Sequence, residues 1–512
     1  MSIYSGVNFI MKNYCAYRYA HIASYKKDPA SIQKTIFKEI ISKAKDTEWG
    51  KKYDYASIKS IKDFQARIEP QEYDHIRGYI ARMMDGQQNV LWPDKIKWYA
   101  KSSGTTNDKS KYIPVSDENL KNCHIKGGWD AVTLIYNNLK DAKLFQNKSI
   151  LLGGALETFP NNPNIIAGDI SAIMLKNFPA VGRYFYVPDF ETALMKDWES
   201  KIEKTALQAL QIPNMAMFGG VPTWNLVLFK RMLEISGKDN LLEIWPELQV
   251  YMHGGVGFGP YKAQFKKLIP KDDFIYQEIY NASEGFFAIK DDFTREDMLV
   301  LLDNGIFYEF IPLETYGNPN ATAYTIEEVV EGVPYVILVT NFAGLSRYVP
   351  GDTVIFTSLY PHRIQVFGRT QQFLNAFGEE VMISNAEQAI AHTCSHTDAV
   401  VSEYTVAPIF LDIANKGGHQ WLIEFEKDPK DINEFGILLD KKLQALNSDY
   451  EAKRSKNLAL DSLKLTKVPK GTFYQWMKYK GRLGGQFKIP RLSNSRKIID
   501  EILFFLKTRT TI

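Results

Sequence analysis

Five consecutive small residues, Ser102-Ser103-Gly104-Thr105-Thr106, are the first candidate for chemistry in this chain. Such a run exposes backbone N–H groups and adds hydroxyl donors, the composition of an anion-binding turn. Lys109 and Lys111 follow it, and a short strand-like run, Lys97–Ala100, precedes it. It is not a Walker A loop. Counted from Gly104, that pattern needs glycine at 109 and lysine at 110, where the chain has Lys109 and Ser110. The plain alternative is a polar surface loop.

A second candidate is Tyr280-Asn-Ala-Ser283-Glu284-Gly285, at the end of an apolar strand. Open α/β sheets bind ligands at the carboxyl ends of their strands, and a carboxylate there can hold Mg²⁺ beside substrate phosphates. The competing reading makes Ser283 a helix N-cap. The third is Arg347-Tyr-Val-Pro-Gly351-Asp352, with Arg369 further on. Gly-Asp between strands commonly marks a hairpin turn, but a strand-end aspartate can also accept both ribose hydroxyls. The fourth is Lys488, in a glycine-rich stretch from Gly481 to Arg491 that could carry a cation into another domain's site. His253 to Gly259 imitates a dinucleotide fingerprint, but Pro260 stands where its third glycine belongs. His392, Cys394 and His396 lack a second cluster at zinc spacing and read as helix-end residues.

Certain elements must position these residues. Residues 30–90, 117–145 and 190–240 read as helical, with Ile32, Ile36, Ile40 and Ile41 at helical spacing. Tyr112–Val115 pairs naturally with Lys97–Ala100 across the small-residue turn. Between 247 and 360, strands are expected at Leu248–Met252, Phe274–Tyr280, Leu299–Leu302, Phe307–Pro312, Tyr335–Thr340 and Thr353–Phe356. Arg369 to Asn375 reads as a connector to a smaller α/β unit. That unit holds helices at Ser384–Ala391 and Phe435–Asn447 and strands at Ala399–Val406 and Gln420–Phe425. The division expected is residues 1–370 and 371–512.

The chain has 512 residues and a net charge of +3, so no global charge points to nucleic acid or a membrane surface. No apolar run reaches the roughly 18 residues of a membrane span, and the N-terminus lacks a secretory signal's apolar block. Three scattered cysteines, Cys15, Cys123 and Cys394, argue against a disulfide framework and for a reducing compartment, the cytoplasm.

Taken together and in order, SSGTTNDKSKYIPVS, GGVPTW (Gly219–Trp224), HGG (His253–Gly255), YNASEG, RYVPGD and QFKIPR resemble the auxin-responsive Gretchen Hagen family of acyl acid amido synthetases. The helical N-terminus and Asp85–Pro93 fit as well, so the resemblance covers nearly the whole chain. It implies an α/β adenylate-forming fold with α+β elements: a large N-terminal ATP- and acyl-binding domain and a small mobile C-terminal domain. It implies an AMP-forming ligase that uses ATP and Mg²⁺. A carboxylic acid becomes acyl-AMP with loss of pyrophosphate, and an amine, typically an amino acid, takes the acyl group. By motif, Ser102, Ser103, Gly104, Thr105 and Thr106 hold phosphate, and Tyr280, Ser283 and Glu284 lie at the nucleotide with Glu284 the Mg²⁺ ligand. Asp352 binds ribose, Arg369 lies at the nucleotide near the hinge, Gly254 and Gly255 flank adenine, and Lys488 is the small domain's catalytic lysine. Plant members carry a lysine just past the hinge; the matching stretch here is Phe377–Val381, and Glu380 falls near that lysine. The expected acyl pocket draws on Asn122–Tyr136, Ile165–Leu175 and Met215–Trp224, with Trp129, Phe218 and Trp224 facing an apolar or aromatic acid. A monomer acting on small molecules is expected. A thiol acceptor such as coenzyme A, a nicotinamide-dependent oxidoreductase and a catalytically silent nucleotide-binding protein are the alternatives.

Overall fold

The computed structural model describes residues 3–103, 110–159, 162–370, 373–411, 416–455, 460–480 and 489–509. Its centre is an eleven-stranded sheet. One half is parallel: Ile275–Ala282, Val250–His253, Met215–Gly219, Lys148–Leu151 and Tyr186–Val187 lie side by side in that order. The other half is antiparallel and runs from Gly285–Ile289 through Met298–Val300, His362–Arg369, Asp352–Leu359 and Pro334–Asn341 to Ile306–Pro312. The change of direction falls at one hairpin, Ile275–Ala282 to Gly285–Ile289.

The expected strands are present. The region 190–240 departs from its helical reading, because Met215–Gly219 is a strand between the helices Trp198–Leu210 and Pro222–Ser236. All five of its residues are buried. A parallel strand covered on both faces has no alternation, so its pattern does not separate it from helical neighbours.

The N-terminal helices brace the antiparallel half. Asp28 caps Pro29–Ala44, accepting the Ser31 N–H at 3.0 Å, with Pro29 at the first helical position. The helix buries Ile36, Phe37, Ile40 and Ile41. Its Gln33 amide donates to the Leu302 and Ile306 carbonyls at 2.7 and 2.9 Å, which fixes it to the sheet. Arg347, from the third motif, is buried against Glu309 at 3.1 Å and donates to the Gln65 carbonyl at 3.1 Å. It ties the helix Ile61–Arg67 to the sheet and does not face the ligand edge.

A four-stranded sheet, Ser110–Val115, Trp98–Ser103, Asn162–Gly168 and Leu156–Phe159, stands beside the large one. Beyond residue 373, Val400–Ile409, Gly418–Lys427 and Lys464–Val468 form a three-stranded sheet. The helices Ile383–Thr397 and Ile432–Leu446 pack with it around Trp421, Phe435 and Leu439. This part meets the parallel half through a shared core, in which the Tyr261 hydroxyl donates to the Ala376 carbonyl.

Candidate active site

Ser283 and Glu284 form the two-residue turn of the hairpin where the sheet changes from parallel to antiparallel. Ser283 therefore caps no helix. The turn stands on the edge where the parallel strands end, the edge at which such sheets bind ligands. Glu284 is 6% exposed, and burial pushes its carboxyl up to about 7, opposed first by Lys111. Lys111 pairs with Ser102 in the hairpin of Trp98–Ser103 and Ser110–Val115, whose register also joins Ser103 to Ser110. The base of the small-residue turn thus faces Glu284. Gly104, Thr105, Thr106 and Lys109 lie outside the described residues, as does Lys488.

Behind Glu284 runs a chain of polar contacts. The Tyr280 hydroxyl donates to Asp352 Oδ2 at 2.6 Å. Arg369 Nε meets Asp352 Oδ1 at 2.8 Å, and its Nη2 meets Glu380 Oε1 at 3.0 Å. Asp352 and Arg369 sit directly opposite each other across two antiparallel strands, which explains why residues so far apart in sequence pair. Burial and Asp352 push the Tyr280 phenol well up, so it remains a donor. Burial pulls Arg369 down, but Asp352 and Glu380 outweigh it and the guanidinium stays charged. Glu380 has φ +37°, and its carbonyl accepts the Asn447 amide at 3.0 Å. Just past the expected connector this chain therefore has a carboxylate bonded to Arg369.

Gly254 and Gly255 follow the strand Val250–His253 on the same edge. A Cβ on Gly254 would stand 2.4 Å from the Ile279 carbonyl oxygen, so the approach that demands glycine there is to the neighbouring strand. Gly255 has φ +81°, and its carbonyl accepts the Asn375 amide at 3.0 Å.

On the opposite face of Ile275–Ala282, Ile279 and Asn281 border an apolar cavity of about 220 Å³, closed by Trp129, Phe145, Met174 and Phe185. Trp129 lines it as expected. Phe218 and Trp224 do not: Phe218 stacks on Tyr251 in the core beneath the sheet, and Trp224 stacks on Trp198 at 3.8 Å. Their strand and helix point them to the other side, a facing that composition does not reveal. The loop beside the cavity is held by a group the sequence left unmarked. Lys201, 1% exposed, donates to the Gly153 and Gly154 carbonyls at 2.9 and 2.8 Å, and burial pulls its ammonium down to about 8. Asn281 and Glu380 were likewise missed as partners. The adjacency of Asn281 to Tyr280 and Glu284 in the motif was the one available signal.

A mixed sheet with this ligand edge and a separate C-terminal α/β part is the fold of adenylate-forming ligases. Two solved structures titled as GH3.15 acyl acid amido synthetase share it. One aligns over 93% of each chain with a TM-score of 0.57 at 17% identity, and the other, a complex with 2,4-DB, over 96% of each with a TM-score of 0.60 at 17% identity. A 2-hydroxyisobutyryl-CoA ligase shares it over 94% of this chain and 92% of that one, with a TM-score of 0.57 and 12% identity. The sequence models of the GH3 family match the N-terminal domain over residues 18–223 and 216–274, the central domain over 299–369 and the C-terminal domain over 384–497. The chain belongs to the GH3 family. Similar curated relatives include the indole-3-acetic acid-amido synthetase GH3.3 of Arabidopsis thaliana, 21% identical over 92% of this chain and 90% of its own length. The 4-substituted benzoates-glutamate ligase GH3.12 of Arabidopsis thaliana is 22% identical over 92% and 94%, and the jasmonoyl–L-amino acid synthetase JAR6 of Nicotiana attenuata 22% over 91% of each.

Proposed function

We propose that this chain activates an apolar carboxylic acid with ATP and passes the acyl group to an amino acid. The chain is an ATP-dependent acyl acid amido synthetase, an AMP-forming acid–amino acid ligase. One observation carries the reading: a single strand, Ile275–Ala282, presents Tyr280 and the Asp352 pair on one face and an apolar cavity on the other, and ends at Glu284.

The division of labour follows. Asp352, fixed by Tyr280 and Arg369, keeps its remaining acceptor capacity for the ribose hydroxyls. Ser102, Ser103, Gly104, Thr105 and Thr106 receive the phosphates, and Gly254 and Gly255 form the floor under the base. The cavity holds the acid's apolar body. Carboxylate attack on the α-phosphorus expels pyrophosphate and turns a poor acyl donor into a good one. Glu284 makes no ion pair with a described residue, and its raised carboxyl in a buried site facing the phosphate turn is a hard oxygen donor in want of a cation. Mg²⁺ fits there and supplies charge neutralisation of the phosphates. The unit 371–512 closes over the site to exclude water and bring Lys488 to the phosphates. The relatives' amino acid acceptors suggest the amine. The cysteines stand as free thiols, which suits a reducing compartment such as the cytoplasm. Among the described residues no helix is long and apolar enough to cross a membrane.

The test is acid-dependent release of pyrophosphate from ATP across a panel of apolar monocarboxylates, then product mass after adding amino acids or coenzyme A. Amide with amino acids supports the reading. Thioester alone reassigns the acceptor, and no acid-dependent release with any acid removes the adenylation chemistry.

A further inference from the structure

The helix Lys126–Asn138, which lies along the cavity, is preceded by a π-helical turn, Leu120–Ile125. Such turns change the phase of the side chains and frequently occur at functional sites. This one delivers His124 into the interior, fully buried, with Nδ1 3.3 Å from Asn281 Oδ1. A carbonyl oxygen only accepts, so Nδ1 carries the proton. Burial pushes the imidazolium down to about 4, so the ring is neutral at pH 7 and keeps that role. Its Nε2 has no hydrogen-bond partner among the described residues, so the ring's polar contact is the one to Asn281.

The contact fixes which way Asn281 points. With Oδ1 bound to His124, the amide Nδ2 is left with Met174 Sδ at 3.7 Å, a thioether and a weak acceptor. Both Asn281 and Met174 border the cavity. The other polar groups on its wall are placed differently. Ser171 Oγ accepts the Gly154 N–H at 3.1 Å, the Tyr186 hydroxyl donates to the Leu151 carbonyl at 2.8 Å, and Ser149 lies mid-strand on Lys148–Leu151. Asn281 sits at the strand's end, beside the Ser283–Glu284 turn and past the level of Gly254, since His253 pairs with Glu278. It stands where an acid's head group must meet the α-phosphate.

We infer that the Asn281 amide donates to the acid's carboxylate oxygen and then to the same oxygen in the acyl-AMP, and that His124 is the residue that holds it in that orientation. The inference rests on the adenylation reading above. A neutral donor suits this position. The acid's charge leaves with pyrophosphate on adenylation, and negative charge develops again on the acyl oxygen when the amine adds, so a donor that serves both states is worth more than a fixed cation. Asn281 touches substrate; His124 is a positioning residue.

The experiment uses the full chain and the apolar monocarboxylate with the fastest wild-type pyrophosphate release. Asn281→Leu keeps the bulk and removes the donor. Its kcat/KM for the acid should fall by about 10²-fold or more, the cost typical of a lost oxyanion donor, with the KM for ATP unchanged. His124→Phe should show a smaller loss of the same kind, and His124→Asn, whose amide nitrogen replaces Nδ1–H, should recover most of it. Imidazole ¹⁵N shifts of the wild type should show a neutral ring protonated at Nδ1. Equal acid kinetics in Asn281→Leu and wild type overturn the assignment. Equal losses in His124→Phe and His124→Asn reduce His124 to packing and overturn its part. Absence of acid-dependent release in the wild type itself overturns the adenylation reading instead.

Discussion

Glu284 stores a proton that its unfolded counterpart does not. Burial pushes its carboxyl up to about 7, with Lys111 opposing, whereas a free glutamate titrates near about 4.3. Between those values the folded chain is protonated and the unfolded chain is not. Folding stability therefore falls as pH rises through that window and levels off above it. The total is about 4 kcal/mol at roughly 1.4 kcal/mol per pH unit. Glu284→Gln removes this titration. Urea unfolding from about pH 5 to about pH 8 should show the variant gaining on the wild type across the window, then holding a constant lead. A pH-independent difference would mean that Glu284 ionises like an exposed residue. The same carboxyl should release about half a proton when ATP and Mg²⁺ bind near pH 7 and closer to one near pH 6, read as a buffer-dependent heat that Glu284→Gln lacks.

At the scale of elements, the site depends on how closely Val250–His253 lies against Ile275–Ala282. The Cβ of alanine at 254 would stand 2.4 Å from the Ile279 carbonyl oxygen, and that oxygen is backbone, so it cannot rotate away. Gly254→Ala should cost about 1–3 kcal/mol through forced backbone movement, lowering the melting temperature and raising the KM for ATP together. An unchanged melting temperature would show that the strands give way freely. This strand pair was legible in the sequence because apolar runs, a terminal motif and glycines all lie within one short segment. Met215–Gly219 was not, since a strand buried on both faces lacks alternation. Nor were the links that arm the site. Arg369 with Asp352 depends on strand register, His124 with Asn281 on a π-turn's change of phase, and Glu380 on a left-handed backbone at a residue that ordinarily avoids it. Tyr280 and Asp352 meet directly and Lys111, paired with Ser102, acts on Glu284, while Phe218 and Trp224 show that an aromatic in the right segment can face the wrong side of a sheet.

At the scale of the whole molecule, the question is what the C-terminal part contributes to a site whose Tyr280, Glu284, Asp352 and Arg369 stand before residue 370. Several contacts join them: Arg369 reaches from Asp352 to Glu380, the Tyr261 hydroxyl donates to the Ala376 carbonyl, and the Asn375 amide donates to the Gly255 carbonyl at 3.0 Å. The residues flanking Lys488 belong firmly to the C-terminal part. Ile489 packs in one core with Trp476 and Phe505, the Pro490 carbonyl accepts the Thr405 hydroxyl at 2.7 Å, and the Arg491 carbonyl accepts the Val406 N–H at 2.8 Å. A cation carried from there acts on the phosphates only in the arrangement that brings the two parts together. An interaction made near the transition state lowers rate and leaves ground-state affinity alone. Lys488→Ala should therefore bind ATP as tightly as the wild type and release pyrophosphate more slowly in a single turnover, by roughly tenfold or more if one charge-assisted hydrogen bond is lost. Pre-formed acyl-AMP should restore amide formation in this variant, because the step that needs the lysine has then been passed. Equal loss of ATP affinity and single-turnover rate would make Lys488 a ground-state binding residue, and wild-type values in both would leave it outside the chemistry.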